Sequence, residues 1–352
     1  MAIYFFIYAV LFMLGLADLV VKKNWVYTYV YILFGLFILF FAGFRTCSID
    51  YQGYLEIFNN LKNTPLKNML DPDVIVEPAY AFLNITLGNF NAVIFVMALL
   101  NILILFPFIK KYSPYPFMSL LFYAGLFLYA GLMGLIRQSM AISICLWAMV
   151  SLKNKRFFSL VALAMMFHVS AVIVVFARLI KNSFYRFRTY LITMGIAIAA
   201  NLLFYGTFKL LVNYLPTFVE WKLEFYLAAG EGTRFGFNEA VMIRLFTFAL
   251  AFAYRDRIRE AFPKGPLLVN IYFLALVMYT GLGFLPQLAF RGAVYFHYME
   301  LLVVPMIISV ADKRLRIPIF LLYAGFSLWR HIAMVTNEDA IYYVPYTNLL
   351  FN

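Results

Sequence analysis

Five arginines lie within apolar stretches of the sequence or at their outer ends: Arg45, Arg137, Arg244, Arg291 and Arg330. Arg234 joins them from a more polar stretch. An arginine in hydrocarbon costs roughly 2.5–3.5 kcal/mol on insertion scales, so each needs a partner. A guanidinium grips phosphate or carboxylate with two parallel N–H groups, a geometry lysine does not copy. The carboxylates at predicted helices on that side are Glu77, Glu239 and Glu300, too few for six arginines. The set therefore predicts a site for an anionic lipid headgroup or a pyrophosphate. The competing reading pairs each arginine with a local carboxylate or lets it snorkel to the interface.

Further groups could handle protons. Glu77 opens a short helix candidate, 76–90, on which Glu77, Tyr80, Ala81 and Asn84 share a face. His168 falls at the middle of an apolar segment, where it either does chemistry or bonds a neighbouring helix. Arg291, Tyr295 and Tyr298 form one helical stripe suited to a ligand. His297 and Glu300, three residues apart on a neighbouring face, read first as a structural pair. Asp71-Pro72-Asp73 resembles the Asp-x-Asp metal motif of soluble nucleotide-sugar transferases, but a simple turn accounts for it equally. Cys47 and Cys145 suggest neither a disulfide nor a metal site. The sequence contains no Gly-rich phosphate loop and no Gly-x-Ser-x-Gly elbow.

The elements that must hold these groups are membrane helices. The 352 residues are 65% hydrophobic with mean hydropathy +0.87, and only 12% are charged. A soluble domain carries roughly a quarter. The expected fold is an all-α polytopic membrane protein, a single transmembrane domain over 1–352. It would have about ten full transmembrane helices: 3–21, 25–44, 91–109, 115–131, 133–152, 189–207, 240–254, 267–285, 290–310 and 317–334. The first of these lacks a basic leader and reads as a retained helix with its N-terminus outside. Two outer, periplasmic segments, 45–90 and 208–239, carry short helices.

The positive-inside rule orients the chain. Basic clusters such as Lys22/Lys23, Lys110/Lys111 and Lys313/Arg314/Arg316 go to the cytoplasm. Segment 157–180 has such clusters on both sides, so a single crossing would invert everything after it. A re-entrant hairpin over 157–180 restores the pattern and puts His168 near its tip. The assigned cytoplasmic loops then hold 18 basic and 3 acidic residues, a net +15. The other 10 basic and 13 acidic residues give −3, and the whole chain is +12. The excess charge is topological, which removes the case for a nucleic-acid partner.

Six short pieces, taken in order, resemble the EpsG/Wzy family of bacterial exopolysaccharide and O-antigen polymerases. They are Arg45 with Ile49-Asp50-Tyr51 and Tyr54, Glu77-Pro78-Ala79-Tyr80, Ile136-Arg137-Gln138-Ser139-Met140-Ala141, Phe167-His168-Val169-Ser170-Ala171, Arg291-Gly292-Ala293-Val294-Tyr295-Phe296, and Val344-Pro345-Tyr346. The resemblance implies a membrane glycosyltransferase of the bacterial inner membrane whose active site faces the periplasm or cell exterior. It would transfer a growing glycan from undecaprenyl pyrophosphate to the non-reducing end of another lipid-linked repeat. Its partners would be the undecaprenyl-pyrophosphate-linked oligosaccharide, the lipid bilayer, a chain-length regulator and a flippase.

On that reading, Arg137 and Arg291 stabilise the departing pyrophosphate. Arg45, Arg234 and Arg330 assist. Glu77 or Asp50 is the first choice for the base, with His168 the second. Gln138, Tyr51, Tyr295 and Tyr298 position substrate. Neither cofactor nor metal is expected, because the arginines supply the positive charge. The alternatives are a flippase or transporter of the same lipid-linked oligosaccharide, an O-antigen ligase and a polysaccharide acyltransferase.

Overall fold

A computed structural model describes the backbone of residues 1–71, 74, 76–151, 153–212 and 239–350, and the side chains of all these but 205–212, 240 and 339. The described residues are helical apart from turns, links and an isolated antiparallel bridge between Arg45 and Asn348. The chain divides into two compact units. One is Met1–Val172 with Val304–Asn352, and the other is Ile173–Val303.

The first unit contains α1 (Ala2–Ala17), α2 (Trp25–Gly43), α3 (Tyr51–Leu61), α4 (Pro78–Leu87), α5 (Phe90–Tyr112), α6 (Pro116–Leu126), α7 (Ile136–Met149) and α8 (Asn154–Met165). The helix Lys313–Thr336 completes it. Local sequence sets these starts and stops. Asn24 and Asn89 accept from the N–H of Tyr27 and Ala92, capping α2 and α5. Proline opens α4 and α6, where its missing N–H is not needed. Gly88 ends α4 at φ +58°, a left-handed conformation that a residue with a Cβ adopts only at a cost.

Packing in this unit joins α1 to α6, α2 to α5, α5 to α7 and α7 to α8. Lys313–Thr336 lies against α6 so closely that a Cβ on Gly125 would collide with the side chain and backbone of Ser327. In the apolar interior Asn101 Nδ2 donates to Ser139 Oγ at 2.9 Å, tying α5 to α7.

Among the described residues, four helices are long and apolar enough to cross a membrane: Trp25–Gly43, Phe90–Tyr112, Phe187–Phe204 and Lys313–Thr336. Counting two bent helix pairs as one crossing each gives six. Other expected spans are present as shorter helices, including Ala2–Ala17 and Gly265–Gly281. Expected spans 115–131 and 290–310 are not straight. The first bends by 79° after α6, at Phe127, and runs into a π-helical stretch, Leu128–Gly134. The second bends by 47° between Pro286–His297 and Glu300–Val310. A run of apolar residues sets length but not straightness, and here the run hides both breaks.

Segment 157–180 is divided as two short pieces. α8 ends at Met165, and a 3-10 helix runs from Val169 to Leu179, with His168 in the link. Most of 208–239 lies outside the described residues, and Arg234 with it.

In the second unit, Gly265–Gly281 packs against Phe187–Val212, Glu239–Ala253 and Pro286–His297. Asn270 anchors it, receiving the Tyr190 hydroxyl and donating to the carbonyls of Lys181 and Ser183.

Candidate functional site

The first unit brings three of the expected residues together. Glu77 stands just before Pro78, in the extended backbone that a following proline favours. Its helix buries Tyr80, Ala81 and Asn84, the face that the spacing predicts. Arg137 is the second residue of α7, immediately after the π-helical stretch. His168 follows α8, its N–H bonded to Ala164 O. The Ala79 N–H donates to Met166 O at 2.9 Å, so backbone as well as side chains hold α4 beside the His168 link.

The Glu77 carboxylate gathers three donors. Arg137 Nη1 lies 2.5 Å from Oε2, while His168 Nδ1 lies 2.8 Å and the Val169 N–H 3.3 Å from Oε1. Burial alone would raise the Glu77 pKa, but the His168 hydrogen bond and the Arg137 charge outweigh it and hold the carboxyl at about 2. An ionised carboxylate only accepts, so Nδ1 of His168 carries the shared proton. In the neutral imidazole, Nε2 is then the basic lone pair.

Aromatic rings complete the setting. The Arg137 guanidinium is 5.7 Å from the ring centre of Tyr54 on α3 and 5.6 Å from that of Tyr80 on α4. The two rings meet edge to face at 5.8 Å. Arg137 and His168 are 22% and 21% exposed, enough to meet a ligand, whereas Glu77 is 13% exposed. The arrangement can take a proton from a hydroxyl at the histidine while holding positive charge nearby.

Other expected residues of the first unit make contacts of their own. Arg45 is 1% exposed, and its guanidinium donates to the carbonyls of Ala42 and Met133. It ties the end of α2 to the π-helical stretch after α6. Asp50 precedes α3, and Tyr51 packs edge-on against Phe90. Gln138 is 4% exposed. Arg330 is exposed and lies over the Trp329 ring.

In the second unit Arg291 is half-buried, while Tyr295 and Tyr298 are almost wholly inside. Their stripe faces packed protein there. Glu300 pairs with Arg244 at 3.2 Å. His297 Nε2 is buried without a hydrogen-bond partner among the described residues, so the expected His297–Glu300 pair is replaced by an Arg244–Glu300 pair. The competing reading for the arginines thus describes Arg244 and part of Arg137.

The sequence assigned no role to the rings of Tyr54 and Tyr80 around Arg137. Both residues fall within the quoted pieces, but contacts between separate helices leave no periodic signal.

The EpsG family model matches residues 28–348. No curated protein and no solved structure matches the chain.

Proposed function

The chain belongs to the EpsG family, and from that premise we propose that it is a polysaccharide polymerase acting on lipid-linked repeats. Family membership points to a polymerase-type membrane protein. The observation that supports a chemical step is the Glu77–His168 pair with Arg137 alongside.

The proposed reaction transfers a glycan from undecaprenyl pyrophosphate to a hydroxyl at the non-reducing end of another lipid-linked repeat. His168 Nε2 takes the hydroxyl proton as the oxygen bonds to the anomeric carbon. The bond from that carbon to the pyrophosphate oxygen breaks, and its electron pair leaves with undecaprenyl pyrophosphate. Glu77 holds the imidazole in the reactive tautomer and offsets its charge as it protonates, the part played by the acid in other acid–histidine pairs. The sequence ranked Glu77 or Asp50 ahead of His168 as base. The geometry favours the reverse order, because a carboxylate held near pKa 2 by the Arg137 charge and the His168 hydrogen bond is a weak proton acceptor.

Arg137 fixes Glu77 and turns its remaining N–H groups toward the developing negative charge. Roles for Arg291, Arg234 and Arg330 at the pyrophosphate rest on sequence alone. The site is assigned to the outer face of the bacterial inner membrane, where the positive-inside pattern puts 45–90.

The test is incubation of purified protein in nanodiscs with the lipid-linked repeat from its own gene cluster, without nucleotide or added metal. A product ladder on a gel that vanishes in His168→Ala supports the proposal. Absence of a ladder, together with movement of intact lipid across a sealed bilayer, would make the protein a transporter.

A further inference from the structure

A cavity of about 440 Å³ opens beside α3, and Arg137 forms part of its wall. Its volume falls within the roughly 300–1,000 Å³ of small-molecule sites. Asn60, Thr64 and Asn68 contribute side chains that both donate and accept, and Asp71 contributes an acceptor. Leu61 and Val74 add apolar surface. α3 produces this split locally: Tyr54, Phe58 and Leu61 recur on its buried face, which leaves Asn60 to the other side.

We propose that this cavity is a subsite for an uncharged pyranose residue. Sugar hydroxyls donate and accept at once, as amides and threonine do, while ring C–H groups need apolar contact. Charge selects against an anionic sugar. Among the described residues lining the cavity, Asp71 and Arg137 alone are charged, and Arg137 is already paired with Glu77. A uronate there would set a second carboxylate beside Asp71, while the lining cation, Arg137, is held by Glu77 and is assigned in the proposed reaction to the leaving pyrophosphate. The link to the chemistry is Arg137, which borders the cavity and bonds the carboxylate that bonds His168. The naming of the occupant as the acceptor end of a repeat, and the assignment of Arg137 to the pyrophosphate, rest on the polymerase reading. The sequence read Asp71 as a turn or a metal motif, and here it becomes a hydroxyl acceptor.

The test is saturation-transfer NMR on the full-length protein in nanodiscs with methyl glycosides of glucose, galactose, mannose, N-acetylglucosamine and glucuronic acid. At least one neutral glycoside should receive saturation and the glucuronide should not. Asn60→Ala and Asp71→Asn, both at exposed positions, should each weaken the neutral ligand roughly tenfold, as expected for one or two lost hydrogen bonds. Binding by none of the neutral glycosides, preference for the glucuronide, or binding indifferent to both substitutions would overturn the subsite. In the ladder assay Asn60→Ala should raise KM and leave kcat in place. A protein that binds glycosides but makes no ladder would retain the subsite and lose the polymerase reading; a ladder without glycoside binding would do the opposite.

Discussion

Glu77 and His168 meet at 2.8 Å although 91 positions separate them in the chain. One stands just before the short helix α4, and the other follows α8, which packs on α7. Because the carboxylate is ionised, the contact fixes which imidazole nitrogen stays basic.

The division of labour in this pair has a kinetic signature. His168→Ala should lower the initial rate of ladder formation by at least about a hundredfold, the usual contribution of a general base. Glu77→Gln keeps an acceptor for Nδ1 and should lose less. A larger loss in Glu77→Gln than in His168→Ala would make the carboxylate itself the base.

Arg137 is held by an ion pair and by two tyrosine rings. Lysine keeps the charge but has neither the flat face nor the paired N–H geometry. Arg137→Lys should therefore behave like Arg137→Ala in the ladder assay, with both proteins still recovered from membranes. Near-normal polymer from Arg137→Lys would reduce the role to charge alone.

The depressed Glu77 pKa fixes the sign of a pH effect. An unfolded glutamate titrates near about 4.3, so the stabilisation from its partners is complete above that pH and is lost as pH falls toward 2. The melting temperature of the native protein should exceed that of Glu77→Gln at pH 5, above the range in which the carboxylate titrates. Below about 4.3 the gap should close. A gap that stays unchanged as pH falls from about 4.3 toward 2 would contradict the pairing.

Arg45 and Gly125 test the frame rather than the chemistry. Removing the Arg45 guanidinium strips charged donors from the buried carbonyls of Ala42 and Met133, at a cost of roughly 1.5–3 kcal/mol for each bond. Arg45→Met should melt well below the native protein in nanodiscs. Gly125→Ala should also melt lower, because Lys313–Thr336 must move to admit the methyl group. Unchanged melting in both would mean that these contacts are absent from the folded protein.

Much of this frame could be read from residue pattern. Helical character, most helix positions and the buried face of α4 followed from apolar runs and spacing. Glu77, Arg137 and His168 were all candidates, yet nothing in the sequence said that they touch. Their meeting depends on the bend after α6 and on the backbone bond from Ala79 to Met166, neither of which has a periodic signature. The same limit explains Arg45. Its burial and its carbonyl partners on two separate elements follow from no spacing in the sequence. The residues around the cavity were missed for another reason: Asn60, Thr64 and Asn68 resemble any polar loop until walls form around them.

The segment that begins at Arg45 is anchored by residues 347–349. Thr46 N–H donates to Thr347 O, and Leu349 N–H donates to Phe44 O, in the stretch that includes the Arg45–Asn348 bridge. These partners lie some 301 positions apart, and the whole second unit is synthesised between them. The ribosome therefore delivers the base of this loop long before its lock. During biogenesis the nascent protein spends most of its translation with that seam open, and closure must wait until residues 347–349 emerge.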